Sequence, residues 1–390
     1  MTVNHNEKNS PRATNSKYSV SLSHKTFVMD KVTLFGRRLK MARQRKGFSM
    51  DELSRMTNDA VSKQTISKYE AGKAMAGTVI LSRLAQALDV SMDYFFRPFS
   101  FDMSELPISF RKKASVGAKE VLALRSSIQE RVEKVLEIEQ ILSRDSSPCW
   151  NVSAGEIASP EQMVKLAMSV RDSWGIGNSA IGNVKEMLIR QGVKVFDVAG
   201  PNGFDGVSGI INDSVWIVVL NKNCSMVERR RMTGLHEYAH LIANRSFPSQ
   251  LTNKEKEDLC TLFASEMLLP SQVLLDYYKG NRKVSLQELK SFQCVYGISI
   301  DAIMHTLKRV GVISDKRYRS YCIKKNTDVK FKSYVELSRF QEKETSSVDE
   351  RGAFETMVYS ALAQGLISKV KAAELLECAV GDVENNAISF

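Results

Sequence analysis

The segment RRRMTGLHEYAHLIANRS, residues 229–246, holds two of the chain's five histidines, four apart, with a glutamate directly after the first. Residues i and i+4 share one face of an α-helix, so His236 and His240 can offer imidazole nitrogens to one zinc ion while Glu237 points toward the same region. The residues read HExxH as HEYAH. Zinc in such a setting acidifies water, and a neighbouring carboxylate can take the proton and pass it to a leaving amine. That is the chemistry of peptide hydrolysis, and it requires this segment to be a helix. It also requires a third protein ligand, with the fourth position left for water.

The next acidic segment, NKEKEDLCTLFASEMLLP, supplies candidates: Glu255, Glu257, Asp258 and Glu266. Its apolar stripe is Leu259, Leu262, Phe263, Met267 and Leu268. Helix phase alone does not separate Glu257 from Glu266.

Upstream, PEQMVKLAMSVRDSWGI and AIGNVKEMLIRQG read as helices, and VKVFDVA, VSGIIN and VWIVVLN as strands. A small β-sheet therefore leads into HEYAH. At 390 residues and 43% hydrophobic content the chain is long enough for two or three domains with buried cores. No apolar run approaches the roughly 18 residues of a membrane span, and the polar beginning MTVNHNEKNSPRATNSKYSV has no secretory apolar core. A cytoplasmic protein with no membrane partner is expected. The six cysteines form no CxxC pair, so reduced thiols are expected, without a disulfide framework or a cysteine zinc site.

Charge is uneven. Residues 1–100 hold 17 Lys and Arg against 8 Asp and Glu, net +9, which leaves +2 of the total +11 for the remainder. A concentrated basic domain is what a phosphate-binding module carries. After a polar arm over 1–30, expected to be disordered, residues 34–96 read as five short amphipathic helices; Ser49 caps the second with Glu52 three residues on, and Gly72 ends the third. A long helical run over 121–142 reads as a connector, SRDSSPCWNVSAG as a domain boundary, and residues 326–350 as a polar, charged connector before a last helical unit.

The sequence resembles two known families. RRRMTGLHEYAHLI followed by EDLCTLFASEMLLP is similar to the ImmA/IrrE metallopeptidases, as are VRDSWGI, LIRQGVKVFDV and WIVVLN. The resemblance implies Zn2+ as cofactor, His236, His240 and Glu257 as its ligands and Glu237 as the catalytic base; Glu257 falls on the family's ligand glutamate, six before Phe263. Cys260 and Thr261 stand where the family usually has Ala and Asn, and Tyr238 and Ala239 where it has Leu and Gly. By residue type, Tyr277, Tyr278 and His305 are candidate oxyanion donors, although His305 reads first as a helix-surface or packing residue.

Residues 34–96 resemble the XRE, or lambda-repressor-like, helix-turn-helix class through RRLKMARQRKGFSMDELS, SKQTISKYEAGK and LSRLAQALDVSMDYFF, with Met50 and Ala76-Gly77 as departures. In this class the third helix enters the major groove of double-stranded DNA. The expected base-edge residues are Ser62, Lys63, Gln64, Thr65 and Lys68, and the expected backbone contacts Arg37, Arg38, Arg43 and Lys73. The C-terminal AQGLISKVKAAELLECAVGDV resembles the end of long XRE–ImmA/IrrE fusions and reads as a packing or protein-contact unit.

The expected fold is mainly α and multidomain: an all-α helix-turn-helix domain, an α+β zincin-like metallopeptidase domain with a small β-sheet, then C-terminal helices. The expected divisions are 1–30, 31–97, 98–148, 149–275, 276–325 and 326–390. The function expected is a DNA-binding transcriptional regulator with a zinc-dependent endopeptidase domain that cleaves a helix-turn-helix repressor or itself. A homodimer suits paired DNA half-sites. The competing expectation is a non-proteolytic regulator whose peptidase-like domain senses a ligand or partner.

Overall fold

The computed structural model describes residues 29–101, 117–144, 155–211, 214–279, 283–341 and 350–386. The expected disordered arm lies outside these residues except for Met29 and Asp30, as does most of the expected boundary loop.

Each short helix of the first domain begins at a side-chain cap. Asp30 accepts from the amides of Val32 and Thr33 to open α1 (Lys31–Arg45), Ser49 and Glu52 form a capping box on α2 (Met50–Met56), and Ser62 caps α3 (Lys63–Glu70). α4 (Thr78–Leu88) and a 3-10 turn at Met92–Phe96 complete the unit, so four α-helices and one 3-10 turn stand where five helices were expected. Phe35, Leu39, Leu53, Ile66, Leu84, Leu88 and Phe95 form its core. Gly36 is required there: a Cβ would lie 2.1 Å from the Tyr69 carbonyl oxygen, so only glycine lets α1 approach the end of α3.

α5 (Ala118–Ile141) is more than a connector. Its Leu124, Ile128, Val132, Val135 and Leu136 cover one face of a three-stranded sheet, and its Ile138 packs on the C-terminal helices. Its polar side docks the first domain. Arg38, fully buried, reaches from α1 to Glu133 of α5 at 2.7 Å, donates to the carbonyls of Arg97 and Pro98, and lies 3.8 Å from the Phe99 ring centroid. Arg43 is likewise nearly buried, donating through two nitrogens to Glu70 at 2.5 and 2.8 Å and through the third to the Phe48 carbonyl. Both arginines were expected on the DNA backbone. Both are instead structural, because every guanidinium nitrogen already has a partner inside the protein.

After α6 (Pro160–Ser173) and α7 (Val184–Arg190) come β1 (Lys194–Val198), β2 (Gly206–Ile211) and β3 (Val215–Asn221), in the order β1-β3-β2. β1 pairs parallel with β3 (Val195 opposite Val218), and β2 pairs antiparallel (Val207 opposite Val219). Val195, Val218 and Leu220 join the core on one side, while Phe196, Ile217 and Val219 face α5 on the other. Covered on both faces, β3 is apolar nearly throughout, VWIVVLN.

α8 (Val227–Ala243) follows the sheet and packs on α9 (Asn253–Leu268), which a Thr252–Glu255 capping box starts. Then come α10 (Ser271–Tyr277), α11 (Leu286–Tyr296), α12 (Ile300–Arg309), α13 (Asp315–Thr327) and α14 (Val329–Glu336). The expected connector over 326–350 is thus helical as far as Glu336. α15 (Glu350–Ala363), α16 (Lys369–Leu376) and α17 (Val380–Asn386) close the chain around Val358, Ala361, Leu375 and Val383. The architecture is mainly α with one small sheet.

Candidate metal centre and DNA face

α8 is held at its start by charge and in its middle by burial. Arg229 and Arg230 pair with Asp205 and Asp197 at the ends of the strands, at 2.8 and 2.5 Å. Arg231, buried beneath them, donates to the carbonyls of Gly297 and Ile181. Asn221, the last residue of β3, ties down the loop between β1 and β2, accepting from the Gly200 amide and donating to the Phe204 carbonyl. Two turns on, the helix presents His236 and His240 toward α9, with their Nε2 atoms 3.1 Å apart.

Glu257 meets them there. Its Oε2 lies 3.3 Å from His236 Nε2 and its Oε1 3.2 Å from His240 Nε2, and the ligating atoms of all three residues lie within 4.8 Å of one another. Nitrogens bound to one tetrahedral zinc at about 2.0–2.1 Å stand about 3.3 Å apart, so the spacing fits a shared ion. The far ring nitrogens fit as well. His236 Nδ1 is 3.2 Å from Thr261 Oγ1, which donates onward to the Glu257 carbonyl, and His240 Nδ1 is 3.5 Å from Cys260 Sγ. Since the Thr261 proton is engaged, its oxygen accepts from His236 Nδ1–H, which leaves Nε2 as the nitrogen facing Glu257 and available to a metal ion.

The electrostatics point the same way. Burial opposes charge on His240, but the hydrogen bonds its ring makes to Cys260 and Glu257 outweigh it and push the imidazole up to about 10. Contacts with His236 and His240 hold the Glu257 carboxyl far below its usual range. A place that retains a proton this strongly is one where a cation is favoured.

The other acids are occupied elsewhere. Glu266, fully buried, pairs with Arg309 and accepts from the Ser271 amide and hydroxyl, while Glu255 caps α9 and Asp258 is exposed. Glu237 lies beside the histidines on a cleft lined also by Phe204, Asp205, Gly206, Met232, Thr233, His236 and Thr261. Its Oε2 accepts from Ser208 Oγ of β2 at 2.8 Å. The two tyrosines and His305, candidates for oxyanion donors by residue type alone, do not line this cleft, and His305 sits at the helix surface as first read. Tyr277 donates to Glu288, Tyr278 packs on Phe292, and His305 is exposed beside Tyr318. Residue type gave them no position.

Sequence reasoning missed Ser208 and the positions of Cys260 and Thr261 behind the histidines. Thr261 carried a signal, since it stands one helical turn after Glu257; Ser208 carried none, because its contact depends on the pairing of β2 with β3.

On the first domain, Ser62, Lys63, Gln64 and Lys68 of α3 are exposed and Thr65 is half-buried. Ser62 Oγ is engaged in capping, at 3.3 Å from the Thr65 amide, and Lys63 pairs with Asp51 at 2.6 Å. Arg37 and Lys73 remain at the surface.

Residues 39–95 match the family model described as Helix-turn-helix, and residues 190–308 match that of the IrrE N-terminal-like domain. The chain joins an XRE-type helix-turn-helix domain to an ImmA/IrrE-like domain. No curated protein matches it. The second match contains the whole His236, Glu237, His240 and Glu257 constellation together with the sheet; the first contains α3. The IrrE-like match begins at the end of α7, so α5, which backs its sheet, lies outside it.

Proposed function

We propose that this protein is a DNA-binding regulator whose IrrE-like domain is a zinc-dependent endopeptidase. The observation that carries the reading is the convergence of His236, His240 and Glu257 beside a cleft that Glu237 also lines. Those three residues would hold Zn2+, which when bound supplies Lewis acidity to water and to a peptide carbonyl.

The protein's own residues do the rest. Glu237, oriented by the Ser208 hydroxyl, takes a proton from the attacking water at its free carboxylate oxygen and returns it to the departing amine. Thr261 and Cys260 hold the histidine rings with Nε2 inward. Among the described residues β2 is an edge strand beside the cleft, and its outer edge would let an extended peptide add as a further strand.

The helix-turn-helix domain supports a regulatory substrate, with α3 in the major groove, Gln64 and Lys68 at base edges, and Arg37 and Lys73 on phosphates. The substrate is a helix-turn-helix repressor or another copy of this chain, and two copies suit paired half-sites. Purified protein loaded with zinc and incubated with helix-turn-helix repressors encoded beside its gene should yield discrete fragments by mass spectrometry, and a chelator should abolish them. Intact repressors and intact chain under all conditions would contradict the peptidase reading.

A further inference from the structure

We propose that α13 and α14 form a second surface for the phosphate backbone of double-stranded DNA, separate from the helix-turn-helix domain. The inference deepens the DNA-binding reading and does not involve the metal centre.

Charge is the first observation. Residues 315–341 hold eight Lys and Arg against three Asp and Glu, net +5, whereas the rest of 101–390 is net −3. Outside the first domain, the positive charge is therefore concentrated on this pair of helices.

The second observation is where the three acids go. Asp315 pairs with Lys308 of α12, Asp328 caps α14 through the Phe331 amide, and Glu336 pairs with Lys325, which also holds Asp301. Among the described residues, Lys316, Lys330, Lys332 and Arg339 are exposed and in no salt bridge, and exposed Arg319 acts on Asp315 only at a distance, the Asp315 carboxylate being paired with Lys308. The acids one turn from these cations, Asp315 for Arg319 and Asp328 and Glu336 for Lys332, are engaged by Lys308, the α14 cap and Lys325, so the cations outnumber the acids left to offset them.

The third observation is that the surface is fixed. α13 buries no residue completely, yet Tyr318 and Tyr321 pack on the core, Tyr321 donates to Asp301 at 2.7 Å, and Arg317 donates to the Val284 carbonyl. These contacts seat the Tyr318, Tyr321 and Lys325 side of the helix and turn Lys316, Arg319 and Ile323 outward. A fixed helix presents its cations to a polyanion with less ordering cost than a mobile segment would. Duplex DNA is the polyanion that the α3 face of the same chain is shaped to meet, so both positive regions serve one ligand.

The test uses the full chain and a labelled duplex of arbitrary sequence, titrated at several salt concentrations. Three proteins are compared: wild type, a variant with Lys316→Gln, Arg319→Gln, Lys330→Gln and Lys332→Gln, and an α3 variant with Gln64→Ala and Lys68→Gln. Circular dichroism and thermal melting check that each is folded; all four glutamine positions are exposed. The fourfold variant should bind on the order of tenfold or more weakly at about 100 mM salt, with the slope of log affinity against log salt reduced by about three. The α3 variant should keep that part of the slope.

Unchanged affinity and slope in the fourfold variant would overturn the proposal, and if the α3 variant alone lost binding, the helix-turn-helix reading would survive it. No duplex binding by wild type would remove both. Exposed Ile323 and Val329 beside the cations make vesicles of anionic phospholipid a necessary further arm. Vesicle binding that the fourfold variant loses while its duplex binding is unchanged would assign the surface to a membrane and overturn the proposal.

Discussion

Glu237→Gln should abolish repressor cleavage, lowering the rate by about 10²–10⁴-fold, while leaving bound zinc unchanged. The amide has the shape of the carboxylate and can still accept from Ser208 Oγ, which lies 2.8 Å from Glu237 Oε2. It cannot take a proton from water. Glu237 is outside the His236, His240 and Glu257 group, so the metal should remain. Elemental analysis beside timed cleavage separates the two effects; a variant with full zinc and full activity would remove Glu237 from the chemistry.

The second large effect is on stability. Arg38→Ala should destabilise the chain by about 3–5 kcal/mol, because it leaves the buried Glu133 carboxylate without its closest cation. Burial pushes the Glu133 carboxyl up, and Arg38 and Arg97 pull it back. Removing Arg38 tips that balance and frees the carbonyls of Arg97 and Pro98. A double variant, Arg38→Met with Glu133→Leu, should recover part of the loss, since it removes both members of the pair while Arg97 keeps Glu137 and Glu374; the carbonyls of Arg97 and Pro98 remain unpaired. Denaturant unfolding measures both. A loss below about 1 kcal/mol for Arg38→Ala would show that α1 does not depend on this contact for its docking on α5.

These two residues show what the sequence carries and what it does not. The HEYAH helix, the Ser49–Glu52 capping box and the strand order of appearance are local patterns, set by residues within a turn or two, and they could be read directly. Arg38 and Arg43 looked like DNA contacts because they lie in a basic segment; their partners Glu133 and Glu70 are 95 and 27 residues away. No local pattern reports such a pairing. The same is true of the acidic helix α9. Glu257 and Glu266 are nine residues apart, two and a half turns, so they leave the helix on opposite sides. Near Glu266 the helix is buried almost all round, so its apolar pattern did not show which side faces α8. Family resemblance pointed to Glu257, and the geometry brings that residue to the histidines. Tyr277 and Tyr278 mark the opposite case, in which residue type without a pattern placed nothing.

The central claim is that His236, His240 and Glu257 hold one zinc ion. Elemental analysis after equilibrium dialysis against buffered zinc tests it most directly, on wild type, His240→Ala and Glu257→Ala. About one zinc per wild-type chain is expected, and a large loss of affinity in both variants, because a catalytic zinc takes three protein ligands. A wild-type chain that retains no zinc, or variants that retain it as tightly, would show that these three residues do not form a zinc site.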